Sequence, residues 1–167
     1  ASQGIMAVFD TPEKELADEL SFILLLDQLR DPGNMGTILR SAEAAGVQAV
    51  FLLPGTTDPW APKVVRSGMG SHFRLPILNW GIEALEALLG DMRVYYADMN
   101  GELNYWQADF RVKTALLIGG EADGASEQGR ALANTTVSIP MAGGTESLNA
   151  AVSAALLMFE VARQRQV

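Results

Sequence analysis

Short apolar runs, most of them closed by glycine, proline or a small polar residue, recur along the chain. Residues 22–26, 49–53, 94–97, 114–118 and 137–141 are of strand length. Apolar side chains at consecutive rather than alternating positions fit strands covered on both faces, as in a parallel sheet. Helical spacing fills the intervals. Pro32 and Gly33 stop the first strand, and Asn34 is placed to cap a helix that turns Ile38, Leu39, Ala42 and Ala45 inward and ends at Gly46. That reading leaves Asn34 in the loop and Arg40 on the first turns. A short helix from Lys63 carries Arg66, others are expected over 84–89 and 127–132, and a Gly- and Pro-free tail supports a long one over 148–163. Strands alternating with helices predict an α/β fold: a mainly parallel sheet with helices on both faces, binding ligands beyond the carboxyl ends of its strands.

Composition narrows this. A chain of 167 residues, about half of them hydrophobic, is the size of one domain with a real core. We assign residues 21–167 to it and read 1–20 as a linker or N-terminal extension. With no cysteine and a single histidine, His72, the chain lacks the usual ligands of a zinc site, so no metal is expected. No run reaches the roughly 18 apolar residues of a membrane span, and the first residues lack the basic flank and apolar core of a signal peptide. A cytoplasmic protein without a membrane partner is expected. The net charge of −8 opposes polyanion binding, yet Lys63, Arg66 and Arg74 stand between Asp58 and Glu83 with no carboxylate among them, which predicts a local basic face. His72 fits the surface of that face better than a general base. Tyr105 and Trp106 could stack on bases, but a place at the edge of the core is the favoured reading.

Three segments carry the chemistry, each beginning where a strand ends. The first is Asp31-Pro32-Gly33-Asn34-Met35-Gly36-Thr37-Ile38-Leu39-Arg40, and the second Gly119-Gly120-Glu121-Ala122-Asp123-Gly124. The third runs from Ile139-Pro140-Met141 through Gly143 and Gly144 to Glu146-Ser147-Leu148-Asn149. Gly143 and Gly144 are expected to give the backbone positive φ and close approach to a ligand. The spacing is neither that of a dinucleotide-binding glycine motif nor that of a P-loop.

In order and spacing, the three segments resemble motifs 1, 2 and 3 of the SPOUT superfamily of RNA methyltransferases, in the form of its SpoU or TrmH type. The resemblance covers nearly the whole chain and departs at Ala122, where a glycine is common. It implies a C-terminal trefoil knot, a homodimer with the 148–163 helix at its interface, and S-adenosyl-L-methionine as methyl donor. It implies that the backbone around Gly119, Gly124, Ile139, Met141 and Leu148 holds this cofactor. Asn34, Arg40, Glu121, Ser147 and Asn149 would line the reaction centre, with Lys63, Arg66 and Arg74 as RNA contacts. The expected activity is methylation of a ribose 2′-hydroxyl in rRNA or tRNA. A catalytically silent cofactor- or RNA-binding dimer, or a base-nitrogen methyltransferase, stays open as an alternative. Gln3 to Val8 resembles the stretch that opens the catalytic domain in members with an upstream RNA-binding domain, so this chain is expected to be a fragment.

Overall fold

The computed structural model describes residues 4, 7–8, 10–12 and 14–166. Gln3, Ile5 and Met6, part of the expected opening stretch, lie outside them. The strands are β1 (Phe22–Leu26), β2 (Ala49–Leu52), β3 (Ile77–Asn79), β4 (Arg93–Ala97), β5 (Leu103–Asn104), β6 (Thr114–Ile118) and β7 (Thr135–Ser138). The helices are α1 (Pro32–Ala44), α2 (Pro62–Gly68), α3 (Ile82–Leu89), α4 (Glu127–Ala131) and α5 (Ala150–Gln164). The strands form one sheet in the order β3-β2-β1-β6-β4-β7-β5, with every pair parallel.

Consecutive apolar residues divide between two cores by the period of two of an extended strand. Phe22, Leu24 and Leu26 of β1 face one way, against Met35, Ile38 and Leu39 of α1 and Ala154, Leu157 and Met158 of α5. Ile23 and Leu25 face the other way, towards Leu85 and Leu89 of α3. Both faces are therefore covered, as the unbroken apolar runs require. Within 1–20, Leu16 and Leu20 pack against the second core without forming helix or strand.

The C-terminal end of α5 is fastened where β1 and β6 begin, at the opposite end of the strands from the site described below. Arg165 donates to the carbonyls of Ser21 (2.9 Å), Val112 (2.6 Å) and Phe110 (2.9 Å), with its guanidinium over the Phe22 ring. Gln164 donates to the Ala108 carbonyl and accepts from the Phe110 N–H. Partial burial lowers the Arg165 pKa from its ordinary value, but a guanidinium keeps its proton in proteins.

Several expectations need correction. Asp31, not Asn34, caps α1: its carboxylate accepts the Asn34 N–H at 2.7 Å, Pro32 takes the first helical turn, and Asn34 lies inside the helix. The last strand ends at Ser138 rather than Met141, because Pro140 has no N–H for a ladder. Asn149 caps α5, which starts at Ala150 instead of Leu148. Gly143 and Gly144 are absent from the positive-φ residues, and a Cβ at either would meet nothing within 4 Å, so neither close approach nor a left-handed turn demands them. His72 is 2% exposed instead of lying at the surface: its Nε2 lies 2.8 Å from the Pro59 carbonyl and its ring packs on Trp60. The 100–110 loop contains β5 and a short 3-10 turn in which Tyr105 packs on the core while Trp106 stays 55% exposed, so the core reading holds for the first alone.

Candidate active site

β6 slots between β1 and β4, so the loop that follows it lies beside the end of β1 and over the ends of β4 and β7. There the sheet opens into a cleft of about 640 Å³. Its floor comes from Tyr96 and Ala97 of β4, Ile118 of β6 and Val137 of β7; its walls are the 119–124 loop, the 98–100 turn and the 139–149 segment. Gly119, Gly124, Ile139, Met141 and Leu148, the expected cofactor contacts, all line it, as do Glu121, Ser147 and Asn149.

The glycine loop is shaped by close contacts. A Cβ at Gly119 would overlap the Ala125 nitrogen and the Gly124 backbone, and one at Gly120 would overlap the Gln28 carbonyl. Gly124 sits at φ 70°, where a side chain is strained and where a Cβ would come within 2.5 Å of the Tyr96 hydroxyl. Gly120 and Gly124 exchange N–H···O bonds of 3.0 and 3.2 Å, closing the loop on itself. Ala122 is not among the positive-φ residues and is exposed, so its departure from the usual glycine places no strain on the loop.

At the mouth of the cleft three side chains from distant parts of the chain join. Asn149 Oδ1 accepts the Ala151 and Val152 N–H groups at the start of α5, which fixes its amide so that Nδ2 faces Asn34 Oδ1 at 2.9 Å. Asn34 must then turn its own Nδ2 to Glu121, and does so at 2.6 Å from Oε1. The result is a directed chain of donors ending on a carboxylate, at the point where the N-termini of α1 and α5 bring their positive dipole ends together. Asp98, Glu121 and Asp123 against Arg130 make the cleft acidic, and the Arg130 guanidinium donates to the Asp123 carbonyl. An acidic cleft with apolar and backbone-rich walls suits a ligand that carries a positive centre.

Arg40 is not drawn into this cluster. It lies six residues beyond Asn34 on α1, exposed, its side chain without a hydrogen bond or ion pair to any described residue, and lines no part of the cleft. Ser147 lines the cleft with an exposed side chain; its carbonyl accepts from Thr145 Oγ1 at 3.3 Å. The basic face is weaker than local sequence suggested. Arg74 holds Glu43 through two hydrogen bonds, one of them 2.9 Å from Nη2 to Oε2. That pairing pulls the Glu43 carboxyl below its usual range and raises Arg74. Lys63 lies 4.0 Å from Asp31, and Arg66 has no carboxylate partner among the described residues. Local reading also missed Asp31 and Tyr96, whose hydroxyl accepts the Ala125 N–H at 3.1 Å; for Asp31 the signal was Pro32 behind it, at the first helical position. Among the described residues no group of acidic or histidine side chains could hold a metal ion.

Beside the cluster, α1 and α5 enclose a second, apolar groove of about 780 Å³ that is lined by Asn34, Asn149, Tyr105, Val152, Leu156 and Phe159 among others. Val152, Leu156 and Phe159 are 47%, 39% and 50% exposed, an unusual concentration for one helix.

The model of the SpoU rRNA Methylase family matches residues 21–159. The chain is 35% identical to the Mus musculus protein "rRNA methyltransferase 3, mitochondrial", over 99% of this chain and 54% of that one. It is 37% identical to the Streptomyces viridochromogenes "23S rRNA (uridine(2479)-2'-O)-methyltransferase", over 99% and 62%. It thus spans about half to two thirds of the length of these curated relatives. The crystal structure of the SpoU methyltransferase AviRb from the same Streptomyces, in complex with the cofactor AdoMet, superposes with a TM-score of 0.82 at 36% identity, over 93% of this chain and 66% of that one. An AdoMet-bound rRNA methyltransferase from Sinorhizobium meliloti gives 0.82 at 33%, over 91% and 61%. With its parallel sheet, its glycine-walled cleft at the strand ends and the joined residues of three motifs, the chain belongs to the SpoU rRNA methylase family.

Proposed function

We propose that this chain is the catalytic unit of an S-adenosylmethionine-dependent methyltransferase acting on a ribose 2′-hydroxyl of rRNA. The observation that carries the reading is the Asn149–Asn34–Glu121 chain at the mouth of the acidic cleft, where a hydroxyl must be aligned and relieved of its proton. The residues present fit the methyl donor: Ile139, Met141 and Leu148 offer an apolar wall for adenine, and Asp98, Glu121 and Asp123 favour a sulfonium. When bound, it supplies a methyl carbon made electrophilic by positively charged sulfur. Glu121, oriented by Asn34 at the mouth of the cleft, would be the carboxylate able to accept a hydrogen bond from an incoming hydroxyl. Arg40, free of internal partners, is available to grip the phosphate beside the target ribose. The test is methylation of an rRNA transcript followed by digestion to nucleosides. A 2′-O-methylnucleoside is expected, a methylated base would overturn the ribose assignment, and absence of cofactor binding by calorimetry would sink the whole reading. In the same assay Arg40→Ala keeps cofactor affinity within a few-fold and loses most turnover.

The half-exposed Val152, Leu156 and Phe159 support a second part of the proposal: two chains pair about a twofold axis through the groove between α1 and α5. Because Asn34 and Asn149 line both groove and cluster, pairing borders the reaction centre. Phe159→Glu is expected to shift sedimentation from dimer to monomer at micromolar concentration and to reduce turnover. A parent chain that sediments only as monomer would remove this part.

For RNA, the pairing of Arg74 with Glu43 makes a sharp distinction. Neutralising one phosphate contributes roughly −0.7 to −0.9 to the log–log salt slope of binding. Arg66→Ala should therefore shallow the slope by about one unit per subunit while Arg74→Ala leaves it nearly unchanged. Equal effects of the two substitutions would place Arg74 on the phosphates after all.

A further inference from the structure

We infer that Asp27 is a positioning residue for the cofactor cleft: it sits behind the wall, lines none of it, and holds the 119–126 loop in the shape that the cleft needs. The inference rests on the reading of that cleft as the S-adenosylmethionine site. Asp27 follows β1 directly and is 0% exposed. One of its carboxylate oxygens, Oδ2, accepts both the Ser126 N–H and the Ser126 Oγ–H, each at 2.7 Å, across 99 residues of chain. Ser126 Oγ in turn accepts the Gly129 N–H at 3.0 Å and so caps α4. The first turn of α4 closes so tightly over the carboxylate that a Cβ at Gly129 would overlap Oδ2.

The other end of the loop is held by the next residue. Gly120 lies against the Gln28 carbonyl at a distance that no side chain permits, and Gln28 adopts φ 57° in the left-handed region. Two consecutive residues at the end of β1 therefore fasten both ends of the loop, and Glu121 to Gly124, which form the wall, hang between them. Glu121 then meets Asn34, seven residues after Asp27. Asp27 thus sets the segment that leads into α1 and the loop after β6 at a fixed separation.

Space filling does not account for a carboxylate here. Burying one is costly unless donors surround it, and Oδ1 has no hydrogen-bond partner among the described residues. An aliphatic residue at this strand end would extend the core at lower cost. What the carboxylate adds is two short charge-assisted bonds to a single residue, which fix Ser126 in direction as well as distance.

The experiment compares the parent chain with Asp27→Asn, Ser126→Ala and the double variant, reading cofactor affinity by calorimetry, steady-state turnover, melting temperature and hydrogen exchange of the 119–126 amides. Asp27→Asn is expected to weaken cofactor binding about tenfold, the scale of one charge-assisted hydrogen bond. Turnover at saturating cofactor should change far less, because the residue touches no reactant. Ser126→Ala should show the same split in smaller degree, and the double variant should fall short of the sum, since both remove one interaction. Exchange should quicken in the 119–126 loop and not in β1 or β2. A lower melting temperature with unchanged cofactor affinity would make Asp27 merely structural and overturn the inference. If Asp27→Asn fails to fold, Ser126→Ala decides on the same readouts. If the parent chain binds no S-adenosylmethionine, the reading of the cleft fails separately; unchanged loop exchange in the variants is then what overturns the role of Asp27.

Discussion

Gly119→Ala is expected to lower cofactor affinity by at least about a hundredfold while the far-ultraviolet circular dichroism stays that of the parent. The added methyl would overlap the Ala125 nitrogen and the Gly124 backbone, neither of which is the mobile end of a side chain. Relief requires the loop to open, and opening breaks the Gly120–Gly124 bonds and the Ala125–Tyr96 bond that give the wall its curvature. Overpacking of this kind costs about 1–3 kcal/mol or more, and a hundredfold in affinity corresponds to about 2.7 kcal/mol. The atoms nearest that methyl belong to the loop and not to the buried strands beneath, so global structure persists. Titration calorimetry measures the loss. Affinity within threefold of the parent would mean that the wall is not what holds the ligand.

Asn34→Ala is expected to reduce turnover by about a hundredfold or more, with cofactor affinity nearly intact, in keeping with the size of losses when an oriented polar group is removed from a reaction centre. Asn34 is the one member bonded to both others, so its loss unlinks Asn149 from Glu121 and leaves the carboxylate without its 2.6 Å donor. It lines the groove and not the cleft wall, which is why binding should survive. Asn34→Asp should be no better, since it sets a second carboxylate against Glu121. Single-turnover methyl transfer separates the chemical step from binding; a Kd that rises in proportion to the lost rate would move Asn34 into the cofactor site.

The strands were readable because burial on both faces leaves an unbroken apolar run, and β1 and β6 coincide with theirs residue for residue. The cleft was readable because three motifs were matched to a family, and five expected backbone contacts line it. Through-space pairing left no local trace. Glu43 neutralises Arg74 from 31 residues away, so a stretch without carboxylates is not a face without them. His72, single and polar in a serine- and glycine-rich stretch, carries no periodic signal to say that it is buried. Asp31 and Asn34 are both good helix caps three residues apart; Pro32, favoured at a first helical position, separated them and freed Asn34 for Glu121.

The clamp at Arg165 makes α5 a gauge of fixed length. Its 15 residues span roughly 22 Å at 1.5 Å per residue, with Asn149 bonded to Asn34 at one end and Arg165 gripping three carbonyls at the other. An inserted residue would turn everything beyond it by about 100° and advance it by about 1.5 Å, so one end or the other must let go. Side chains along the exposed stripe of α5 are free to vary. The number of residues between the two ends is not.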